Sequence, residues 1–393
     1  MPDFAMFDAD QHYYEATDAF TRHLDPKWTA RTMQWAEVRG KQRLLVGGRI
    51  NRFIPNPTFD PIATPGALTD YFRAKDGVTD MRSAMGTLES IADRPEYRDR
   101  DARLAVLDAQ GVEACFMLPT LGVGMEAALE TDPEAFMAAF TAFNRWLDDD
   151  WGYNYRDRIH AIPYVSLIDV DWAVAELEHA LTHGARAILM RPSSVYGPTG
   201  RRTPGNPAHD AFWARVNEAG ISVLVHGGDA SYGAYQQFWG LGGETEAFKV
   251  SPLMRLLSAS PVHDFVASIM ADRLFERFPN LRLATVETGS YWVGPLLKKL
   301  RTVAIQAPGD FGADPYELFL EHVWVSPFFE DDVLALVDLI GPERTVFGSD
   351  WPHVEGLEDP ATFVKELEGL GDTAVEQIMR TNAFGLITPR TRP

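Results

Sequence analysis

Cysteine is almost absent: the 393-residue chain has one, Cys115. A lone cysteine cannot close an internal disulfide, and there is no CxxC pair to hold a structural zinc. It falls in the apolar run Val112–Leu118 and reads as a buried small hydrophobe. Basic residues are few, 36 against 56 acidic ones, for a formal net charge of -20. That excludes nucleic acid as a partner class, because its phosphates need clustered Lys and Arg. The acidity reads first as a solubility feature. No apolar run is long enough to span a bilayer, so no membrane partner is expected. Low-complexity tracts and internal repeats are also missing. The first strand-like run begins at about Phe4, which leaves no room for a secretory signal. A cytoplasmic, reducing setting is the expectation.

What the chain does contain is a rhythm. Apolar runs read as strands at Phe4–Ala9, Val112–Leu118, His160–Val165, Arg186–Met190, Ile221–Val225, Leu281–Val286, His322–Ser326 and Arg344–Gly348. They are continuously apolar rather than alternating, as in parallel strands covered on both faces. Amphipathic stretches lie between them. Glu134–Asp150 puts Phe136, Met137, Phe140, Phe143, Trp146 and Leu147 on one face; Asp171–His183 and Ala208–Ala219 each stop at a glycine; His263–Phe278 and Asp331–Ile340 continue the pattern. Eight strands alternating with helices predict a (β/α)8 barrel, a single domain over residues 1–393. An open doubly wound sheet is the alternative, but no Gly-rich dinucleotide loop follows the first strand.

Two insertions interrupt the alternation, at about 11–99 and 227–261. The first contains a predicted hairpin, Thr32–Val38 with Gln42–Val46 around Arg39–Gly40–Lys41, and then turns rich in Pro, Gly and aromatics. Both leave the C-terminal end of a strand, where barrel enzymes build their sites. They are expected to form a lid or pocket wall, or an oligomer contact.

Chemistry concentrates at four strand ends. The first strand ends Phe7–Asp8–Ala9–Asp10–Gln11–His12, and residues two apart in an extended segment share a face. The fifth ends in His226–Gly227–Gly228, the sixth in Val286–Glu287, and the eighth in Phe347–Gly348–Ser349–Asp350–Trp351–Pro352–His353. Carboxylates and imidazoles gathered at one rim are costly unless paired or metal-bound, so a metal site at the barrel mouth is expected.

The first, fifth and eighth of these strand ends resemble the amidohydrolase-related family, the branch of the amidohydrolase superfamily that includes aminocarboxymuconate semialdehyde decarboxylase and the hydroxybenzoate decarboxylases. The ending Thr381–Asn382–Ala383 is similar to the family's closing helix. The resemblance covers nearly the whole chain. It implies a metal held by Asp10, His12, His226 and Asp350, with Asp350 also moving a proton. Three departures stand out. The usual His-any-His pair is Asp10 and His12 here. The fourth strand ends Met190–Arg191–Pro192, without the lysine that is carbamylated to bridge two metals in other branches. The sixth ends in Glu287, where relatives place a histidine.

The resulting donor set is rich in oxygen, which suits Mn2+ or Fe2+ and also admits Zn2+, as one or two ions per chain. Glu287 can ligate, bridge or act as acid or base. His263 is a candidate for a second ion, and His353 for a ligand or an acid–base residue. Arg191, Glu15, Tyr13 and Trp351 are candidates for substrate binding, Arg191 by pairing with a carboxylate. Tyr14, Tyr232 and Trp239 are further candidates for the pocket wall. The expected activity is hydrolysis, or nonoxidative decarboxylation, of a small organic, carboxylate-bearing substrate through metal-activated water. An O2-dependent monooxygenase with a binuclear Mn or Fe site and a noncatalytic partner subunit are the alternatives. A homo- or hetero-oligomer is expected.

Overall fold

The computed structural model describes residues 2–73, 77, 80–242, 251–256 and 260–391. Seven of the predicted runs form parallel strands. They are β1 (Met6–Tyr13), then, after a hairpin of β2 (Met33–Val38) and β3 (Lys41–Val46), β4 (Val112–Pro119), β5 (Ile159–Ala161), β6 (Ala187–Met190), β7 (Ser222–His226), β8 (Arg282–Val286) and β9 (Val323–Val325). One parallel sheet runs β1-β4-β5 and the other β9-β8-β7-β6. Helices α1 (Arg100–Gln110), α2 (Pro133–Asp150), α3 (Val170–Thr182), α4 (Asp210–Ala219), α5 (Pro261–Ala271), α6 (Val293–Gln306), α7 (Pro315–His322) and α8 (Val333–Ile340) fall between or after them.

The two sheets meet at both edges. On one side Val165 N–H bonds Leu189 O and Leu189 N–H bonds Pro163 O, both at 2.9 Å. On the other, Val346 N–H donates to Val325 O at 3.0 Å and Ala9 N–H to Phe347 O at 2.9 Å. The predicted eighth strand, Arg344–Gly348, is therefore an irregular segment wedged between β9 and β1. It makes no regular ladder because Phe347 N–H turns away to Ile378 O at 3.1 Å. β5 stops three residues after it starts, since Pro163 has no N–H for the ladder.

Local signals explain most other boundaries. Asp132, Asp169 and Ser260 cap α2, α3 and α5 with their side-chain oxygens. Gly220 ends α4 at φ 64°, where an L side chain is strained. The stretch predicted as one helix over His263–Phe278 is two, because Arg273 takes φ 56° and breaks it. In the first insertion Val38 pairs directly with Lys41, leaving a two-residue turn, Arg39–Gly40, with both φ positive. Of the second insertion, residues 243–250 and 257–259 lie outside the described residues. The described part carries a short helix, Gly233–Phe238. No helix among the described residues is long and apolar enough to cross a membrane.

Candidate metal centre

β1 extends four residues past its predicted end and carries a register irregularity between Asp8 and Gln11. The shift separates residues that a simple period of two would align. Asp8 turns into the wall, where its carboxylate takes Ser349 N–H at 2.9 Å, Gln11 Nε2–H at 3.0 Å and the Ser349 hydroxyl at 2.5 Å. Burial pushes its carboxyl up to about 6 against those hydrogen bonds. Asp10 and His12 turn to the mouth.

There five side chains from four segments converge. His12 Nε2 lies 3.1 Å from Asp10 Oδ1, 3.3 Å from Glu287 Oε2, 3.3 Å from Asp350 Oδ1 and 3.4 Å from His226 Nε2. His226 Nε2 is 2.9 Å from Glu287 Oε2 and 3.8 Å from Asp10 Oδ1. The ring of His226 is fixed from behind. Its Nδ1 is 2.7 Å from Gly227 O, and a carbonyl only accepts, so Nδ1 carries the proton. In neutral His226 the lone pair of Nε2 therefore points into a nest of carboxylate oxygens. That arrangement is repulsive unless a proton or a cation sits between them.

The electrostatics record the same demand. Burial alone would lower His226, but Glu287 and Asp10 override it and lift its imidazole to about 10. Burial would raise Glu287, but His226 and His12 hold it well below the usual carboxylate range. Asp350 goes the other way: burial, with Glu287 and Glu355 beside it, pushes its carboxyl well up. The backbone is strained at the same place. Glu287 has φ 49° and Asp350 φ 58°, left-handed values that cost non-glycine residues free energy and cluster at functional sites. Gly227 and Gly348 make room for this crowding. A Cβ on Gly227 would lie 2.4 Å from Glu287 O, and one on Gly348 would lie 2.6 Å from Asp10 Cβ.

His353 pairs with Asp350 and stacks on His12 at the edge of the nest. Its Nδ1 is 2.6 Å from Asp350 Oδ1 and its Nε2 2.9 Å from Thr120 Oγ1. Thr120 donates its hydroxyl proton to Tyr13 O at 2.8 Å, so its oxygen accepts from His353 Nε2–H. Both ring nitrogens are thus engaged. Burial and the neighbouring His12 hold His353 well below the usual imidazole range.

A cavity of about 460 Å3 opens above this floor. Glu287, His353 and Glu355 form its polar end, while Tyr14, Phe53, Ile54, Phe59, Ile62 and Met85 wall it. Most of the described wall comes from the first insertion. No Lys or Arg is among the lining residues that are described. A second cavity of about 190 Å3 reaches Asp10, Glu287, Asp350 and Glu355 from the side of Ser326 and Phe328.

Other sequence candidates lie elsewhere. His263 pairs with Asp264 at 2.9 Å, and Tyr232 donates to the same Asp264 at 2.6 Å; neither reaches the nest. Arg191 is buried against Glu130 at 2.8 Å and Glu126 at 3.3 Å, which consume its charge. Glu15 is buried too, accepting Leu121 N–H and Gly122 N–H at 2.9 Å, so it fixes the chain after β4 instead of lining the pocket. Tyr13 packs on Trp146 and Trp151, and Trp351 on Tyr97 beneath Arg103; both are core. Trp239 is exposed and outside the cavity lining. Sequence reasoning missed Thr120 and Glu355. Glu355 follows His353 by two in the same run, which was its available signal; Thr120 had none.

A buried carboxylate–imidazole nest at the floor of an apolar cavity defines an enzyme site suited to a divalent cation. The chain belongs to the amidohydrolase family, whose family model matches residues 7–386. An amidohydrolase from Mycobacterium avium subsp. paratuberculosis K-10 is 44% identical, with a TM-score of 0.93 over 98% of this chain and 100% of that one. The 5-carboxyvanillate decarboxylase of Novosphingobium aromaticivorans, solved with manganese and 4-hydroxy-3-methoxy-5-nitrobenzoic acid, is 15% identical with a TM-score of 0.59, covering 98% of this chain and 96% of that one. The 2,6-dihydroxybenzoate decarboxylase of Rhizobium is 18% identical with a TM-score of 0.58, covering 84% and 96%. At such identities these two share the fold. No protein of curated function matches the chain.

Proposed function

We propose that this protein is a metal-dependent hydrolase on a closed (β/α)8 barrel, acting on a small organic molecule with a largely apolar, uncharged body. The observation that carries the reading is the nest of Asp10, His12, His226, Glu287 and Asp350 at the end of the apolar cavity. The edge-to-edge bonds between the two sheets, together with the family, support the closed barrel.

The donor set fits a single divalent ion. The two candidate groups, Asp10–His12–His226–Glu287 and His12–Glu287–Asp350–His353, share His12. One imidazole nitrogen has one lone pair and serves one ion. His353 has both nitrogens committed. Three carboxylates and two imidazoles make Mn2+, Fe2+ or Zn2+ suitable occupants. When bound, the ion supplies Lewis-acid polarisation of the substrate and acidifies the attacking water.

The protein's own groups do the rest. Asp350 takes the proton from the attacking water and returns it to the leaving group. His353 stabilises the protonated carboxyl through Nδ1, held in register by Thr120. The aromatic wall orients the substrate and excludes bulk water. With a divalent ion the five side chains keep one net negative charge, and Glu355 stands beside them. Among the described lining residues an anionic substrate would meet no cationic side chain, which favours hydrolysis of a neutral compound over decarboxylation of a carboxylate.

The test is turnover in H2 18O with metal analysis of the protein as purified. One ion at the nest, label in the product and no O2 uptake support the proposal. CO2 release without label would establish decarboxylation instead, and two ions with O2 consumption would establish an oxygenase.

A further inference from the structure

A second constellation of metal-competent groups lies away from this site, where α2 and α3 end side by side. α2 finishes with three consecutive acids, Asp148, Asp149 and Asp150, at the negative end of its helix dipole. Two are balanced. Asp149 meets His23 at 2.7 Å and Asp150 meets Arg22 at 2.5 Å. Asp148 makes no hydrogen bond among the described residues, and its nearest basic atom is His183 Nε2 at 3.9 Å.

α3 brings two imidazoles to the same place. His179 and His183 are four apart, one helical turn, and their ring centroids are 3.9 Å apart. His183 Nδ1 lies 2.7 Å from His179 O and must donate to it, so the Nε2 lone pair is free and faces Asp148. His179 Nε2 is buried and has no hydrogen-bond partner. The nearby cation, Arg145, is already taken by Glu176 at 2.9 and 3.0 Å. Ligand atoms from Asp148, His179 and His183 all lie within 4.8 Å of one another.

We infer that Asp148, His179 and His183 form a second metal site, in which a borderline transition ion such as Zn2+ cross-links α2 to α3 on the outside of the sheet. Each feature has a place in it. Histidines at i and i+4 on a helix chelate one ion, and the carboxylate of Asp148 supplies a third ligand with charge. The Nδ1–H bond to a helix carbonyl sets the tautomer, as outer-shell carbonyls do for ligating imidazoles. The unbalanced acid and two converging helix C-termini favour positive charge. Water completes the shell, since His183 is exposed. The site is independent of the reaction at the cavity floor.

The test uses the untagged enzyme as purified, titrated with Zn2+ alone and followed by metal analysis and thermal melting. Wild type is expected to take up one zinc equivalent more than His179→Gln/His183→Gln, and to gain a zinc-dependent rise in Tm that the double variant lacks. The single variant Asp148→Asn, which preserves shape, should weaken this uptake about tenfold or more. Cu2+ in place of Zn2+ should give wild type a second electron paramagnetic resonance signal with coupling to two imidazole nitrogens, beyond the signal of the nest, and the double variant should lack that second signal. Catalytic turnover should be the same in all three proteins. Equal zinc uptake and equal melting shifts in wild type and both variants would overturn the inference.

Discussion

His353 Nδ1 stands 2.6 Å from Asp350 Oδ1, and its ring stacks on that of His12 with 3.9 Å between centroids. The contact makes Asp350 half of a proton-sharing pair while its Oδ1 still faces the nest. His353→Gln should therefore lower kcat by about 10²–10⁴-fold, the usual worth of a positioned acid–base group, with metal content unchanged. Thr120→Val, which removes only the support, should cost about tenfold and shift the pH–rate profile. Loss of the metal in His353→Gln would make it a ligand and refute the assignment.

The nest should depend on His226 more than on any other single side chain, because its tautomer is fixed by Gly227 O at 2.7 Å. His226→Ala should remove the ion held at the nest, measured by elemental analysis of the variant made in the His179→Gln/His183→Gln background. Gly227→Ala tests the same point from the backbone. Its new methyl would meet Glu287 O at 2.4 Å and push β8 off, so metal affinity should fall while the fold survives. Full metal retention by His226→Ala would sink the site.

Arg191 separates a stability role from a binding role. It is 5% exposed and bridges Glu126 and Glu130. Arg191→Ala removes the buried cation between Glu126, which keeps Tyr164 and Ser166, and Glu130, which keeps Arg201 and Ser231, and should destabilise the protein by about 3 kcal/mol in denaturant unfolding. KM measured well below the new melting temperature should stay within a few-fold of wild type. A large rise in KM at unchanged stability would restore Arg191 to the substrate.

Glu15 and His160 predict opposite pH dependences of stability. Burial raises the Glu15 carboxyl from 4.5 to about 7. The folded state then holds a proton the unfolded chain has lost, so stability is full below about 4.5, falls as pH rises to about 7, and is flat beyond, a loss of at most about 3 kcal/mol. Burial lowers the His160 imidazole from 6.5 to about 4, and neither ring nitrogen has a hydrogen-bond partner. Its contribution is present above 6.5 and is lost as pH falls through about 4. Chemical denaturation across pH 4–8 should show Glu15→Gln flattening the first slope and His160→Phe the second. Unchanged slopes in both variants would refute the assignment.

The strand ends were legible because a strand's end and its chemistry are adjacent in sequence. Val225–His226, Val286–Glu287 and Ser349–Asp350 each announce a polar residue at the rim of an apolar run. Period-two reasoning failed at Asp8, because the register irregularity that turns it toward Ser349 is a matter of how β1 meets β4 and the segment around Phe347. It also failed for Arg191, Glu15 and Tyr13. Each sits one or two residues from a rim position, and nothing in the local sequence tells whether such a side chain turns outward to the mouth or inward to a partner.

The sequence by itself determined the order of strands and helices, the family, and the residue types gathered at the rim. Those follow from local periodicity and from motifs a few residues long. Only the tertiary structure decided that Asp10, His12, His226, Glu287 and Asp350 meet at one point, with His353 paired to Asp350 and stacked on His12. It also decided that the first insertion folds over them as a largely apolar wall. The physical reason is distance along the chain: contacts spanning hundreds of residues are set by how the sheets close and how buried charges find partners, and no short-range pattern encodes either.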